Sequence, residues 1–409
     1  MPDPAPNLLK VAIVSTWRQF CGIATYSRDL ARALIKFGHH VVVLAEEGVS
    51  PDTANEDGFD APYLECWRRD ITGYGALIKI IEQERPDIIH VQHEYGLFPD
   101  TAAFAVLIET LRRHAHVVVT MHTISGHDRG LGPDHDRKAA FSADAAVVHS
   151  WTALDALGRP IGRQIPVVHI PHGTREGCRR MDRDPARAQL GILQDAFAVA
   201  SVGFIGREKR FEDVGLAVVK TMAHIQNIAW IAGGRSTSDK FERIRAWVEG
   251  REALCRRAVL YGRYLSDDDY DVVFGAADVV VFNSNPTPHS TSGQLHLALA
   301  YGMPVVAARV ALYDDADACG ERFDGAVELA KVLTRLGLER DRLGGMAARS
   351  AEVARITAWS RIAAMHDQLY RRVLAEDFRF VVEDDVGWRP DPNAAPTPIG
   401  LRPTAKVIS

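Results

Sequence analysis

Short runs of Val, Ile and Ala alternate along this chain with amphipathic segments of helical period, and this alternation constrains the fold more than any other feature. A buried apolar strand that is followed by a helix and then by another such strand predicts a parallel sheet with helices on both faces. The alternation occurs in two successive series, so the sequence predicts two doubly wound α/β domains. The strands of the first series are predicted at residues 10–15, 40–45, 87–92, 117–121, 143–149 and 167–170. Those of the second series are predicted at residues 198–202, 229–232, 259–261, 278–282 and 304–307.

The break between the two series predicts the domain boundaries. Residues 1–185 are expected to form the first domain and residues 186–357 the second, in line with roughly 150 residues per domain in a chain of 409. Near this boundary, residues 175–187 contain five Arg, which suit either a solvated linker or a basic rim that attracts anions. Residues 381–409 are rich in Pro and poor in large apolar side chains, so a disordered tail is expected there.

Composition excludes several classes of protein. With 48 Lys and Arg against 53 Asp and Glu, the net charge is −5, whereas a general nucleic-acid binder carries a basic excess. No apolar run reaches the roughly 20 residues of a membrane span, and the polar, Pro-rich N-terminus is unlike a secretory signal. The five Cys are scattered without a CxxC pair, so neither a disulfide framework nor a zinc site is expected. A soluble, cytoplasmic protein with at most peripheral membrane association fits these properties.

The alternation of strands and helices also occurs in NAD-binding domains, in which the turn after the first strand carries a glycine-rich pattern. Residues 15–25 hold one glycine, Gly22, where a pyrophosphate cradle requires the GxGxxG pattern. The corresponding turn of the second series, Gly203-Phe-Ile-Gly206, lacks the third glycine, and no GxxxxGK[ST] loop occurs in the chain. The sequence therefore disfavours an oxidoreductase and a P-loop enzyme, and no cofactor is expected.

Polar side chains stand where several predicted strands end. His93 and Glu94 follow the third strand, His122 follows the fourth, and Lys209 follows the first strand of the second series. Residues 290–296 open a predicted helix, whose first amides and dipole suit a phosphate group. Ligands bind doubly wound sheets at the carboxyl ends of the strands, so these residues are the candidate site.

Six segments, in this order and spacing, carry a family resemblance. They are Cys21-Gly-Ile-Ala-Thr-Tyr-Ser27 with Asp29-Leu30, residues 87–98, 119–123, 170–173 and 203–209, and Ser292-Gly293 with residues 297–307. From residue 8 to about residue 375 the chain resembles the GT-B glycosyltransferases, specifically those of the family 4 type. The resemblance implies two Rossmann-like α/β domains that face an interdomain cleft, with a helix near residues 358–376 that returns to the first domain. It also implies transfer of a sugar from a nucleotide-sugar donor, usually with retention of anomeric configuration and without a metal.

The resemblance assigns catalytic roles to residues at the strand ends. As the sugar leaves, negative charge builds on the diphosphate, and fixed cations aimed at that charge stabilise the transition state. Lys209 matches the family's diphosphate-binding lysine, and Phe204 stands where the family has a companion arginine. Arg207 is expected to supply that charge from a neighbouring position. His122 resembles the histidine that contacts the donor sugar.

Binding residues follow from the same resemblance. Gly22 matches the glycine loop near the donor phosphates, and the His93–Glu94 pair is expected toward the acceptor. The nucleotide base is usually read by backbone atoms, here near Leu265. The expected acceptor is a glycan, a lipid-linked molecule or a small molecule, and its identity, the sugar, the base and the oligomeric state stay open.

The chain departs from the family at a pair of glutamates that ordinarily lie eight residues apart. Alignment on Gly302 and Pro304 places Pro288 at the first position and His296 at the second, so both carboxylates are missing. Altered donor recognition is therefore expected, with His296 bonding a ribose hydroxyl. The loop between the two positions still matches the Ser-x-Ser-Gly of some relatives and is predicted to bind the donor through Ser290, Thr291, Ser292 and Gly293.

A metal site is not expected. Asp267-Asp-Asp269 resembles a metal-binding DxD only superficially, because it follows Ser266 at the start of a predicted helix, where acidic residues favour the helix dipole. His122, His127 and His135 lack the spacing of metal ligands.

Two alternatives to a transferase stay open. The missing glutamates are compatible with a non-catalytic protein of the same fold that binds sugar nucleotides or glycans. A GT-B-like sugar-nucleotide epimerase is the other, and it requires acid and base residues rather than an acceptor.

Overall fold

The computed structural model describes residues 8–48, 59, 61–69, 74–124, 133–157, 165–236 and 238–376. The chain divides into two compact units. The first consists of Met1–Gly173, Pro288–Thr291 and Thr357–Ser409, and the second of Thr174–Thr287 and Ser292–Ile356. The predicted tail at residues 381–409 and His127, which the sequence analysis did not expect to bind a metal, lie outside the described residues.

The first unit contains a seven-stranded sheet in which every pair of neighbours is parallel. The strand order is β3-β2-β1-β4-β5-β6-β7. Strands β2 and β3 are therefore added on one side of β1 and strands β4 to β7 on its other side, so the order of strands switches between β1 and β4. Most of these strands are buried runs of Val, Ile and Ala, as predicted. The strands are β1 Lys10–Ser15, β2 His40–Glu46, β3 Tyr63–Trp67, β4 Ile88–His93, β5 His116–Met121, β6 Ala145–Val148 and β7 Val167–His169.

Strand β3 was not expected from the sequence. It lies at the edge of the sheet, where Leu64 and Glu65 are exposed, so its residues do not form the continuous apolar run that marks a central strand. The helices of this unit that precede the second unit are α1 Gly22–Phe37, α2 Gly75–Glu84, α3 Thr101–Leu111, α4 Pro133–Phe141 and α5 Trp151–Leu157.

The second unit contains a parallel sheet of six strands in the order β10-β9-β8-β11-β12-β13. The strands are β8 Phe197–Val202, β9 Ile228–Gly233, β10 Ala258–Tyr261, β11 Val279–Phe282, β12 Val305–Ala308 and β13 Glu321–Phe323. The sequence predicted all of them except β13, an edge strand of three residues. The helices are α6 Arg183–Leu190, α7 Phe211–Thr221, α8 Lys240–Glu249, α9 Glu252–Cys255, α10 Asp267–Ala276, α11 Gly293–Ala300, α12 Gly325–Leu338 and α13 Asp341–Ile356, with a 3₁₀ segment at Ala311–Ala318.

The Arg-rich segment is part of the second unit, and its Arg187 fits neither of the two interpretations made from the sequence. The guanidinium of Arg187 is wholly buried, lies 2.8 Å from a carboxylate oxygen of Asp278 and donates to three main-chain carbonyls between residues 193 and 196. Arg183 also pairs with Asp278, and Arg175 pairs with Asp267. These contacts explain why the second unit begins at Thr174, before the boundary predicted at residue 185.

The last described helix, α14 Trp359–Leu374, belongs to the first unit. Its buried face carries Tyr370, whose hydroxyl lies 2.7 Å from Nδ1 of His90 in strand β4. Trp359, at its start, packs against Gly173, where a Cβ atom would approach the indole to 2.2 Å. None of the described helices has the length and hydropathy that a transmembrane span requires.

Candidate active site

His122 follows strand β5 and is a neutral, partly buried imidazole. Its Nε2 lies 2.9 Å from Oε1 of Gln92. Because an amide oxygen can only accept, Nε2–H donates, and Nδ1 keeps a lone pair that can accept a hydrogen bond. Burial, with smaller contributions from neighbours such as His149 and His172, lowers the pKa of His122 well below its usual range. This side chain can therefore accept from a hydroxyl group but cannot act as a cation near neutral pH.

The segment Pro288–Thr291 belongs to the first unit and is held by the residues around His122. The amide and the hydroxyl of Ser290 both donate to the His122 carbonyl, at 3.2 and 3.1 Å. The amide of Ile124 donates to the Pro288 carbonyl at 3.0 Å. Ser290 was predicted to bind the nucleotide sugar, but its amide and hydroxyl hydrogens both bond the His122 carbonyl and thereby fix its own loop. Thr291 is the last residue of the same segment.

His93 and Glu94 lie side by side in the chain but in opposite environments. His93 is wholly buried among Tyr95, Phe98 and Phe104, and this burial lowers its pKa to about 3. Glu94 is partly exposed, and its carboxylate accepts from the Gly96 amide. The sequence analysis placed both residues toward the acceptor, whereas in the structure His93 is buried and Glu94 is partly exposed.

Gly22 begins helix α1, directly after the residue that caps it. The Cys21 sulfur accepts from the Ala24 amide at 3.3 Å, and burial raises the pKa of this thiol, so Cys21 has a structural role. Gly22 is exposed, and a Cβ atom placed on it would meet nothing within 4 Å. The space in front of this glycine is open, which is compatible with its predicted place near donor phosphates.

In the second unit, Lys209 is a largely buried cation with few protein partners. Its Nζ donates to the Tyr313 hydroxyl at 2.8 Å and lies 5.1 Å from the centre of that ring. Burial lowers the pKa of Lys209 to about 8, although the nearby Glu208 opposes the shift. Among the described residues its ammonium makes no other hydrogen bond, so two of its three hydrogens remain for a ligand. Tyr313 comes from the 3₁₀ segment, and no pattern in the sequence marked it.

The loop that carries Lys209 passes very close to the loop after strand β9. Gly203 has a φ of +126° and Gly234 a φ of +156°, values that side chains rarely adopt. A Cβ atom on Gly234 would lie 1.7 Å from the Gly203 carbonyl oxygen. The sequence analysis missed Gly234, although the Gly-Gly pair at the end of a strand is a signal for close backbone approach.

Three other predicted positions differ in how far their side chains are exposed to solvent. The Arg207 side chain is exposed and makes no ion pair with any residue that the structure describes. Phe204, where an arginine was expected, lies 6.1 Å from the ring of Tyr264. Leu265 is buried in the core of the unit, so its side chain is not offered to a ligand and only its main chain fits the predicted role.

Helix α11 places His296 inside the second unit. Its Nδ1 lies 2.7 Å from the Thr174 hydroxyl, and its Nε2 lies 3.2 Å from a carboxylate oxygen of Asp315. Asp315 accepts from Nε2–H and Thr174 donates to Nδ1, so both nitrogens are engaged within the protein. The predicted bond from His296 to a ribose hydroxyl therefore has no free nitrogen in this structure. The sequence analysis missed Asp315, whose carboxylate is partly exposed beside this histidine.

Helix α11 begins within residues 290–296, as the sequence predicted. The hydroxyl of Ser292 caps the helix by accepting from the Leu295 amide at 3.3 Å, and Gly293 is the first helical residue. The helix N-terminus therefore presents main-chain amides beside a small side chain, a combination that suits an anion.

The acidic run at 267–269 caps a helix, as predicted. Ser266 and Asp269 form a capping box at the start of α10, and Asp269 also pairs with Arg263. Within the part of the chain that the structure describes, no group of three or more His, Cys, Asp or Glu side chains has a geometry that would hold a metal ion.

Comparisons with known proteins confirm the resemblance and the fold. Residues 20–145 match the family model described as Glycosyltransferase Family 4. Sucrose-phosphate synthase from Thermosynechococcus elongatus has a similar structure, with a TM-score of 0.68 at 20% identity, over 90% of this chain and 100% of that one. The Anabaena protein HepE in complex with UDP gives a TM-score of 0.70 at 16% identity, over 89% of this chain and 100% of that one.

A further similar structure is WaaG, a glycosyltransferase involved in lipopolysaccharide biosynthesis, with a TM-score of 0.62 at 16% identity. The match covers 88% of this chain and 99% of that one. A search of curated proteins by sequence found no match. The chain thus has the GT-B fold, and its first unit carries the family 4 match.

Proposed function

We propose that this protein is a glycosyltransferase that moves a sugar from a nucleotide-sugar donor to an acceptor hydroxyl, with retention of configuration and without a metal ion. The observation that carries the proposal is Lys209, a largely buried ammonium in the loop after strand β8, two of whose hydrogens are not bonded by any residue that the structure describes. Keeping a buried cation without a carboxylate partner costs free energy that an arriving anion would offset. The match of residues 20–145 to the glycosyltransferase model supports the same activity.

The leaving diphosphate is the group that we expect the second unit to stabilise. When the bond from the anomeric carbon to the diphosphate oxygen breaks, the electron pair stays on that oxygen and the sugar becomes oxocarbenium-like. Lys209 and the exposed Arg207 supply positive charge for the oxygen, and the amides at Ser292–Gly293 supply hydrogen-bond donors. Such preorganised groups usually contribute the largest share of transition-state stabilisation.

The first unit supplies groups for the sugar and the acceptor in this proposal. His122 is neutral and retains a lone pair on Nδ1, which suits it to accept from a sugar hydroxyl. The partly exposed carboxylate of Glu94 is suited to orient an acceptor hydroxyl. Gly22 leaves room for the donor phosphates to approach the start of helix α1.

The absent glutamates modify donor recognition in this proposal. Pro288 has no polar side chain, and both nitrogens of His296 are engaged. We therefore propose that Asp315, which lies 3.2 Å from His296, supplies the carboxylate for the donor's sugar or ribose hydroxyls. The Asp315→Asn variant should then raise the KM for the donor more than it lowers kcat.

The function is tested first by binding and then by turnover. UDP-, GDP-, ADP- and dTDP-sugars are screened for a rise in the melting temperature, since a ligand at 100 times its Kd stabilises the folded state by about 2.7 kcal/mol. The donor found is then offered a panel of glycan, lipid-linked and small-molecule acceptors, with and without EDTA. Transfer that EDTA does not reduce, and a product with the anomeric configuration of the donor, are the expected results.

Two variants and two outcomes decide between the alternatives. Lys209→Ala should lose most of the turnover, whereas Lys220→Ala, an exposed lysine on helix α7 of the same unit, should not. Unchanged turnover in Lys209→Ala would contradict the mechanism. Donor binding without transfer or hydrolysis would indicate a binding protein, and exchange of solvent protons into the donor without an acceptor would indicate an epimerase.

A further inference from the structure

Lys240, the first residue of helix α8, is a second buried lysine of the second unit and plays no part in the mechanism above. Only 5% of the residue is exposed. Its Nζ donates to the main-chain carbonyls of Gly206 at 3.0 Å and of Arg207 at 3.3 Å, and to that of Lys209. A buried ammonium is tolerated only where its hydrogens are bonded, and here all three meet carbonyls of one short loop. That loop is the one that presents Arg207 and Lys209. The carboxylate of Glu212 lies further away, at 3.9 Å from Nζ of Lys240.

Fixing these carbonyls also fixes the direction of the neighbouring amides. The described chain contains no cis peptide bond, and in a trans peptide the C=O and N–H groups point in opposite directions. The Gly206 carbonyl shares its peptide plane with the Arg207 amide, and the Arg207 carbonyl shares its plane with the Glu208 amide. Both amides therefore point away from Lys240. Neither donates to an acceptor among the residues that the structure describes, whereas the Arg210 amide donates to Asn283 at 3.1 Å.

We propose that Lys240 is a positioning residue that turns the main-chain amides of Arg207 and Glu208 into a binding site for the donor's diphosphate, next to the ammonium of Lys209. Successive amides that point the same way form a concave site for anions. The positive charge behind the carbonyls polarises both peptides and strengthens their N–H groups as donors. The inference rests on the proposed function, because it deepens the diphosphate site assigned there to Lys209.

The Glu208 carboxylate is a negative group that lies near this site. A Cβ atom placed on Gly206 would lie 2.5 Å from Oε1 of Glu208, so the side chain folds back over the start of the loop. Its charge also acts on Lys209. A diphosphate that binds the two amides must displace or tolerate this carboxylate, so neutralising it should tighten binding.

The test is calorimetric titration of the full-length protein with inorganic pyrophosphate, which carries the diphosphate charge without a base or sugar. Lys240→Met should bind about 10- to 100-fold more weakly, by analogy with the loss seen when a group that orients a metal ligand is removed. Lys240→Arg, which can still donate to several carbonyls, should recover part of the affinity. Arg243→Met is the matched control, since it removes one cation from the same helix, and Arg243 pairs with the exposed Asp239 rather than with the loop of Lys209.

A double-mutant comparison separates the amides from Lys209. If Lys240 acts through the amides, Lys240→Met should still weaken binding when Lys209 is already Met. Glu208→Gln should bind pyrophosphate about threefold or more tightly than the wild type, on the scale of removing one nearby like charge. This variant and Lys240→Arg keep the inference testable if Lys240→Met does not fold.

The outcomes distinguish this inference from the proposed function. Wild-type protein that binds no pyrophosphate and no nucleotide sugar would overturn the proposed function, and this inference with it. Wild-type binding that is lost in Lys209→Met but unchanged in Lys240→Met would overturn the role of Lys240 alone. Affinity unchanged in Glu208→Gln would likewise contradict a diphosphate seated on the Arg207 and Glu208 amides.

Discussion

Binding of a nucleoside diphosphate to the second unit should weaken as the pH rises through about 8, because Lys209 then loses its proton. Burial lowers the pKa of this residue from an ordinary value of 10.5 to about 8. The ammonium is the form that pairs with phosphate oxygens, and neutral lysine offers no charge to them. The pH dependence of affinity thus reports directly on the state of one side chain.

The size of the effect follows from this pKa. With a pKa of about 8, Lys209 is about 90% charged at pH 7 and about 9% charged at pH 9. If only the charged form binds, the affinity falls about tenfold between these pH values, which corresponds to about 1.4 kcal/mol. Binding also raises the pKa of Lys209, so about half a proton should be taken up per ligand bound at pH 8.

The assay is calorimetric titration with UDP at several pH values between 6.5 and 9.5, in buffers of different ionisation enthalpy. Lys209→Arg is the control, since a guanidinium stays charged over this range and the remaining pH dependence belongs to the ligand and to other groups. Lys209→Met should bind weakly at every pH. A wild-type affinity that does not change between pH 7 and pH 9, or that changes as much in Lys209→Arg, would refute the assignment of this transition to Lys209.

Three further predictions concern stability and loop geometry. Arg187→Met removes the buried cation that pairs with Asp278 and leaves that carboxylate only the half-exposed Arg183, so it should lower the free energy of unfolding by about 3 kcal/mol in urea titrations, whereas exposed Arg243→Met should change it little. His93 has a pKa of about 3 when folded, so its contribution to stability is present above pH 6.5 and is lost as the pH falls, by about 2 kcal/mol at pH 5; His93→Phe should make unfolding less sensitive to acid, and an unchanged pH profile would contradict this. Gly234→Ala should abolish nucleotide binding or folding because its Cβ would collide with Gly203, while Gly344→Ala, in open space on helix α13, should melt at the same temperature as the wild type or slightly above it.

The central strands could be predicted because each one is a continuous run of apolar residues in the sequence and is buried along its length in the structure. Edge strands β3 and β13 were missed for the opposite reason, since exposure on one side breaks up that run. Lys209 and His122 were found as candidates because the end of a predicted strand is a position that sequence alone can locate. The protonation states of Lys209 and His122 could not be predicted from the sequence. Burial lowers both pKa values, and burial depends on how the whole unit folds.

Hydrogen-bond partners that are distant in sequence account for most of what the sequence analysis missed. His296 was expected to face a ligand, but its ring is bonded by Thr174, which lies 122 positions earlier in the chain, and by Asp315. Arg187 looked like part of a solvated or anion-attracting segment, yet Asp278, 91 positions later, holds it inside the second unit. No local pattern encodes such pairs.

Three features can be read from the linear chain: the two α/β series, the strand ends where a site can form and the resemblance to GT-B glycosyltransferases. Hydrophobic periodicity depends on residues that are neighbours in the chain, so it can be recognised from the sequence. Which polar groups at those strand ends are buried or bonded within the protein depends on the folded arrangement. It buried His93, engaged both nitrogens of His296 and set Lys240 behind the loop of Lys209. The reason is physical: whether a polar group is available to a ligand depends on desolvation and on partners that the folded chain brings together from remote positions.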